Sequence, residues 1–273
     1  MNILLVDGNE KEASDKYINA GMQTQYEVYE TILKKNTKKK INVITIHPAI
    51  NNEYLPKGLN LDDLNGIVWT GSALNIYNVS DSISNQIELA KELLGRKNKI
   101  FGSCWGLQVL VTAAGGCIRK NPNGLEAVIA KNIKLNKTGL NHQMYKNKNK
   151  SFDALCWHYD DAETLPVNSR VLAFNKKSKF QSICFTNRNS EVWAVQYHPE
   201  FNPFWISKLM MQRKDILLSN NIYNSITDFE NEKSIFENYN KIDLNKNKNK
   251  KYRDLFDTSY HSLEISNWLD TII

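Results

Sequence analysis

Apolar residues along this chain follow two rhythms, and the change between them near residue 126 organises the reading. Before that point, short apolar runs alternate with stretches of helical spacing. The runs "NILLVD" (2–7), "INVITI" (41–46) and "GIVWT" (66–70) are continuously apolar rather than alternating, as strands buried on both faces are. Residues 15–34 place Tyr26, Tyr29 and Leu33 on one helical face, with lysines at the C-terminal end, where the helix dipole favours cations. Residues 81–95 read as another helix. In "KNKIFGS", Ile100 and Phe101 form a further strand that Gly102 closes; Leu107, Leu110 and Val111 then recur at helical spacing until Gly115-Gly116. Strand and helix in alternation predict an α/β fold with a parallel sheet covered on both faces.

Beyond residue 126 the texture changes to short strands, "EAVIAKNIKL", "SRVLAF", "FQSICFT" and "EVWAVQY", followed by a helix at 203–213. After Ser219 the chain is polar and helix-like, which divides it into a main domain, 1–218, and a small C-terminal helical extension, 219–273. The end of that extension is not polar. Ile265, Trp268, Leu269 and Ile272 share one helical face, with Leu263 and Ile273 beside them, so the stripe is expected to dock on its own domain or on a partner. No internal repeat is visible.

Composition narrows this picture. The 273 residues are 41% hydrophobic and 10% aromatic, enough for a substantial core. The net charge of +6 could point to nucleic acid, but it is concentrated in "KKNTKKK" (34–40) and two "KNKNK" runs (146–150 and 246–250). These contain no aromatic residue on which a base could stack and no arginine to read one, so they are expected to be solvated loops without a nucleic-acid partner. The four cysteines form no C-x-x-C pair and no zinc spacing. The apolar run before Asp7 is too short for a signal peptide, and no stretch reaches the roughly 18 apolar residues of a membrane span. A reduced, cytoplasmic protein with no membrane partner is the expectation.

The candidate chemistry begins at "FGSCWGLQ". Cys104 stands between Gly102 and Gly106 on a strand-to-helix turn, where side chains at the glycine positions would collide with neighbouring backbone. A helix N-terminus stabilises a thiolate, and the next backbone N–H, that of Trp105, faces where an oxyanion would form. A base is supplied by "VWAVQYHPEF", in which an apolar strand delivers Tyr197, His198, Pro199 and Glu200. The proline keeps His198 extended and lets Glu200 swing beside it, where a carboxylate would steady an imidazolium.

With these motifs in that order, residues 1–213 resemble the class I (triad) glutamine amidotransferases. "GSCWGLQ" matches that family's G-x-C-x-G-x-Q at Gly102, Cys104, Gly106 and Gln108, and "YHPE" matches its His and Glu. "GIVWTGSALNIY" lies where the family has its oxyanion strand, with Gly71-Ser72 in place of the usual Gly-Gly-Pro. "WHYDDAETLP" is similar to the His-x-Asp segment of the branch that includes the amidotransferase domain of GMP synthase, and "LEISNWL" resembles the tail of stand-alone bacterial members. The resemblance implies a flavodoxin-like fold and a Cys104–His198–Glu200 triad that opens the side-chain amide of glutamine through a γ-glutamyl thioester. It further implies oxyanion donors at Gly71, Ser72 and Trp105. Gln108, His158, Tyr159, Asp160 and Tyr197 are the candidates for substrate contact, and no metal or cofactor is needed. Two outcomes stay open: ammonia passed to a separate synthetase subunit, or stand-alone hydrolysis of γ-glutamyl amides. Cys117, Cys156 and Cys184 read as core, and His142 and His261 as solvated.

Overall fold

The computed structural model describes residues 1–272, the side chains of residues 247, 248 and 250 excepted; Ile273 lies outside the described residues. The first half runs β1 (Asn2–Val6), α1 (Lys11–Asn19), α2 (Gln25–Lys35), β2 (Asn42–Ile46), β3 (Gly66–Trp69), α3 (Asp81–Gly95), β4 (Lys99–Ser103) and α4 (Trp105–Ala113). The second half continues with β5 (Cys117–Lys120), β6 (Glu126–Leu135), α5 (Lys137–Leu140), β7 (Ser151–His158), β8 (Asp160–Thr164), β9 (Arg170–Phe174), β10 (Ser182–Asn187) and β11 (Ser190–Val195). Nine of these strands form one sheet in the order β2-β1-β3-β4-β11-β10-β9-β6-β7.

The sheet joins two halves of different character. From β2 to β11 all pairings are parallel; from β11 to β7 all are antiparallel. Strand β11 is the hinge of the topology. It lies beside β4 with Val195 opposite Ser103, so the residues that leave the two strand ends emerge side by side. The carboxyl ends of parallel strands are where open α/β sheets bind ligands.

Two features differ from the pattern of the sequence. The helix expected over 15–34 is two helices, because the chain reverses at Gly21 (φ +68°) and restarts at Thr24. Thr24 and Glu27 cap each other's backbone there, the Thr24 N–H donating to Glu27 Oε2 at 2.7 Å. The strands β5 and β8 were hidden by their mixed polarity and pair with each other as a separate ribbon.

The extension continues from α6 (Pro203–Gln212) and α7 (Lys214–Ser219) into α8 (Ile226–Glu237), α9 (Arg253–Phe256), α10 (Thr258–His261) and α11 (Leu263–Ile272). Helix α11 docks at home. Ile265, Trp268 and Leu269 are buried in the same cluster as Ile3, Val68 and Phe101, on one face of the parallel strands. Trp268 and Ile272 come so close to Gly66 that a Cβ there would meet both at 2.8 Å. Lys148, expected in a solvated run, is buried: its Nζ donates to Glu264 Oε2 at 3.0 Å and to the Tyr260 carbonyl at 2.9 Å. Its charge serves to bind the tail. His261 is likewise buried rather than solvated, paired with the Leu255 carbonyl, and Cys117 is exposed rather than core. Among the described residues no helix is long and apolar enough to cross a membrane.

Candidate active site

Cys104 ends β4 and begins α4 with φ +51° and ψ −104°, a left-handed conformation that a non-glycine residue adopts only where its surroundings enforce it. The surroundings do so on three sides. The Cys104 N–H donates to the Val195 carbonyl at 2.8 Å, which ties the turn to β11. A Cβ at Gly102 would meet the Gly106 backbone at 2.8 Å, and one at Gly106 would meet the Trp69 carbonyl at 2.7 Å. The two glycines therefore let the turn pack against its own helix and against β3. Trp105 and Trp69 both donate their indole N–H to Gln86 Oε1, at 2.7 and 3.2 Å, so α3 pins the elbow to β3 from behind.

His198 follows β11, and its backbone N–H is held by the Leu155 carbonyl of β7 at 2.8 Å. Its Nδ1 lies 2.7 Å from Glu200 Oε1, while the Cys104 sulfur, in the same cavity, donates to the Trp157 carbonyl at 3.6 Å. Burial works against a charged imidazole here. The negative charges of Glu200 and the nearby Cys104 sulfur, with the hydrogen bond to Glu200, outweigh burial and push the His198 pKa up to about 10. One face of the ring stacks on Phe201, with centroids 4.0 Å apart, which leaves little freedom to rotate. Two further residues extend the hydrogen-bonded chain behind Glu200. Ser103 donates to Glu200 Oε1 at 2.9 Å, and Tyr29 from α2 donates to Ser103 at 2.5 Å. Both partners are more than 70 positions apart in sequence, so only the folded chain joins them.

The loop after β3 faces this group. A Cβ at Gly71 would lie 2.7 Å from His198 Cε1 and 2.6 Å from Gln25 Oε1, so only glycine fits beside the histidine. The Gly71 carbonyl accepts from Thr70 Oγ1 at 2.8 Å and Asn9 Nδ2 at 3.2 Å. The peptide is trans, so the Ser72 N–H points the opposite way from that anchored carbonyl. Trp105 occupies the first helical position, where intrahelical bonding leaves its N–H free.

A cavity of about 690 Å³, open solvent included, holds Cys104, His198, Ser72, Gln108, Tyr159 and Asp160 in its lining. His158 also reaches it, but both its ring nitrogens are engaged, with Glu126 Oε2 at 3.0 Å and the Asp160 carbonyl at 2.9 Å. Its imidazole is a strut that shapes the wall. Asp160 accepts from Asn75 Nδ2 at 2.8 Å and Tyr77 Oη at 3.0 Å, and so latches the wall to the loop after β3. Tyr197 is the correction among the candidates. Its side chain lies outside the cavity, fully buried, donating to Glu264 Oε1 at 2.7 Å and sharing a hydrogen bond with Tyr145. It lies past the end of β11, where the chain bends, and its side chain meets Glu264 while that of His198 lines the cavity. Trp205, Tyr17, Gln25 and Arg213 also line the cavity, and the motif-based reading missed all four. Among the described residues no cluster of three or more potential metal ligands occurs.

Residues 16–214 match the sequence model of the family described as glutamine amidotransferase class-I. A γ-glutamyl-L-1-hydroxyisopropylamide hydrolase from a Pseudomonas species is 27% identical over 282 aligned positions, covering 100% of this chain and 93% of that protein. A glutamine-hydrolysing GMP synthase from Borreliella burgdorferi is 25% identical over 59% of this chain, but over only 30% of its own length. Among solved structures, a glutamine amidotransferase from Thermotoga maritima superposes with a TM-score of 0.69 at 13% identity, over 100% of this chain and 97% of that one. At that identity the likeness concerns the fold.

Proposed function

We propose that this chain, which belongs to the class-I glutamine amidotransferase family, hydrolyses γ-glutamyl amides, with Cys104 as nucleophile, His198 as acid and base, and Glu200 holding the imidazole. The observation that carries the reading is Cys104 on a strained elbow sharing one cavity with His198, whose imidazole is bonded to Glu200. Transfer of the Cys104 thiol proton to His198 gives a thiolate–imidazolium pair. The thiolate attacks the γ-carbonyl carbon, and the electron pair of the C=O moves onto oxygen, where the Ser72 and Trp105 N–H groups stabilise it. Removing one such donor typically costs about 100- to 1000-fold. Collapse of the tetrahedral species breaks the C–N bond as the imidazolium gives its proton to the departing nitrogen. A γ-glutamyl thioester and neutral His198 remain. His198 then takes a proton from water, the hydroxide attacks the thioester, and glutamate leaves while the thiolate–imidazolium pair returns.

The stand-alone hydrolase is favoured over a subunit that feeds ammonia to a synthetase. The Pseudomonas hydrolase aligns with the whole chain, tail included, whereas the GMP synthase aligns with little more than half. Supply of ammonia from glutamine to a separate synthetase is the second reading, and the GMP synthase similarity is what favours it. The purified chain, assayed alone on glutamine, γ-glutamyl alkylamides, γ-glutamyl dipeptides and α-glutamyl controls, tests both. Amine release from several γ-linked conjugates, abolished by Cys104→Ser, is the expected result. Turnover of glutamine alone would favour the second reading, and turnover retained in Cys104→Ser would contradict the triad.

A further inference from the structure

The wall that continues outward from His198 carries chemistry the triad does not use. His198 stacks on Phe201, Phe201 stacks on Trp205 at 4.0 Å, and Trp205 meets Tyr17 at 5.4 Å. The row ends at Arg213, whose guanidinium lies 5.6 Å over the Trp157 ring and whose charge is felt by the Tyr17 and Tyr159 hydroxyls. Among the described residues no carboxylate pairs with Arg213, although it lines the same cavity as Cys104. It also lines the outer groove, where Glu10 and the Glu12–Lys16 pair stand beyond it. Next to it, Tyr17 accepts from Gln25 Nε2 at 3.2 Å and so keeps its own hydroxyl hydrogen to give. Gln25 is 5% exposed, and its Oε1 is buried without a donor beside the position of Gly71.

Direction decides what this wall faces. The imidazolium protonates the departing nitrogen, so the leaving group must lie on the His198 side of the cavity. We propose that Arg213 and Tyr17 form a leaving-group subsite for a carboxylate, with Gln25 Oε1 accepting an N–H of the same group, so that the preferred substrates are γ-glutamyl conjugates of amino acids or peptides. The inference rests on the hydrolase reading above and names its substrate class. Arginine suits the task because its planar fork meets a carboxylate with two parallel hydrogen bonds.

Two substrates that differ only in that charge test it: γ-glutamyl-leucine and γ-glutamyl-leucinamide, each compared by kcat/KM with the full chain. The wild-type protein is expected to prefer the free acid by about 10- to 100-fold, the usual worth of a charge-assisted pair. Arg213→Gln should collapse that ratio toward one, and Arg213→Lys should restore part of it. Equal rates on acid and amide in the wild type, or an Arg213→Gln ratio still near the wild-type value, would overturn the subsite while leaving the hydrolase intact. Because the wild-type comparison needs no variant, misfolding of Arg213→Gln cannot hide the answer. If glutamine is turned over but neither conjugate is, the hydrolase reading fails, and the subsite with it.

Discussion

Tyr197 and His198 are neighbours in sequence, yet each leads to a buried carboxylate with a different purpose. Glu264, on the Tyr197 side, is fully matched: Oε1 accepts from Tyr197 and Oε2 from Lys148. Glu200, on the His198 side, is not. Its Oε1 accepts from His198 and Ser103, its Oε2 is buried without a donor, and Cys104, in the same cavity as His198, sits on a strained backbone. A satisfied buried cluster holds elements together, here the tail helix and the end of β11. An incompletely satisfied one beside strain is where the fold stores reactivity. In the proposed mechanism, burial and charge alone do not distinguish the carboxylate that serves the histidine; its unmet hydrogen-bonding capacity does.

Substitution of the two neighbours gives the sharpest separation. His198→Ala should lower amide hydrolysis by at least about 1000-fold with the fold retained, because members of such a triad act as a unit. Tyr197→Phe should instead lower the melting temperature and leave kcat close to wild type, and a comparable loss of kcat would erase the distinction. The tail cluster breaks at Lys148. Lys148→Met leaves Glu264 buried without its cation and is expected to cost about 3–5 kcal/mol in a denaturant titration. Replacing both partners, Lys148→Met with Glu264→Leu, should recover most of that loss, since a well-packed apolar pair is often neutral there.

Acid separates the two regions next. Burial, aided by the charge of Lys148, lowers the His261 pKa to about 4 from 6.5. Between those values the unfolded chain binds the proton and the folded chain does not, so stability falls as pH drops from about 6.5 to 4, by at most about 3 kcal/mol. His198 has the opposite sign. Its pKa is raised to about 10, so its contribution is complete below about 6.5 and is lost as pH rises through about 10. Urea titrations of wild type and His261→Gln at pH 7 and pH 4.5 should show the acid loss in the wild type alone. The smallest effect belongs to Ser103, a positioning residue. Ser103→Ala should lower kcat by about 10-fold with KM unchanged, and a matching rise in KM would mean that it acts on substrate binding instead.

Legibility followed the same line. The elbow and the His-Pro-Glu turn are written within a few consecutive residues, so strand-end, glycine and proline rules suffice to find them. The parallel strands, though short, were legible because continuous apolar runs admit few other readings. What escaped was held by distant partners. Tyr29 meets Ser103 across 74 positions and Gln86 meets Trp105 across 19, and nothing local announces either bond. The same distance hid Lys148, which looks like any lysine in a Lys/Asn run until Glu264 arrives from 116 positions away. Tyr197 was misplaced because it borders the motif, where the chain bends past the end of β11. Arg213 sits between two helices, outside every motif, and reaches the cavity only through the packing of α6 against the domain.

In the proposed mechanism Cys104 carries the γ-glutamyl group. Rapid acid quench during turnover of a γ-glutamyl amide, followed by digestion and mass spectrometry, tests it directly. One γ-glutamyl adduct on the peptide containing Cys104 is expected, accumulating before the steady state and absent from Cys104→Ser. Turnover without any adduct on that peptide, or with the adduct on Cys117, Cys156 or Cys184, would contradict it.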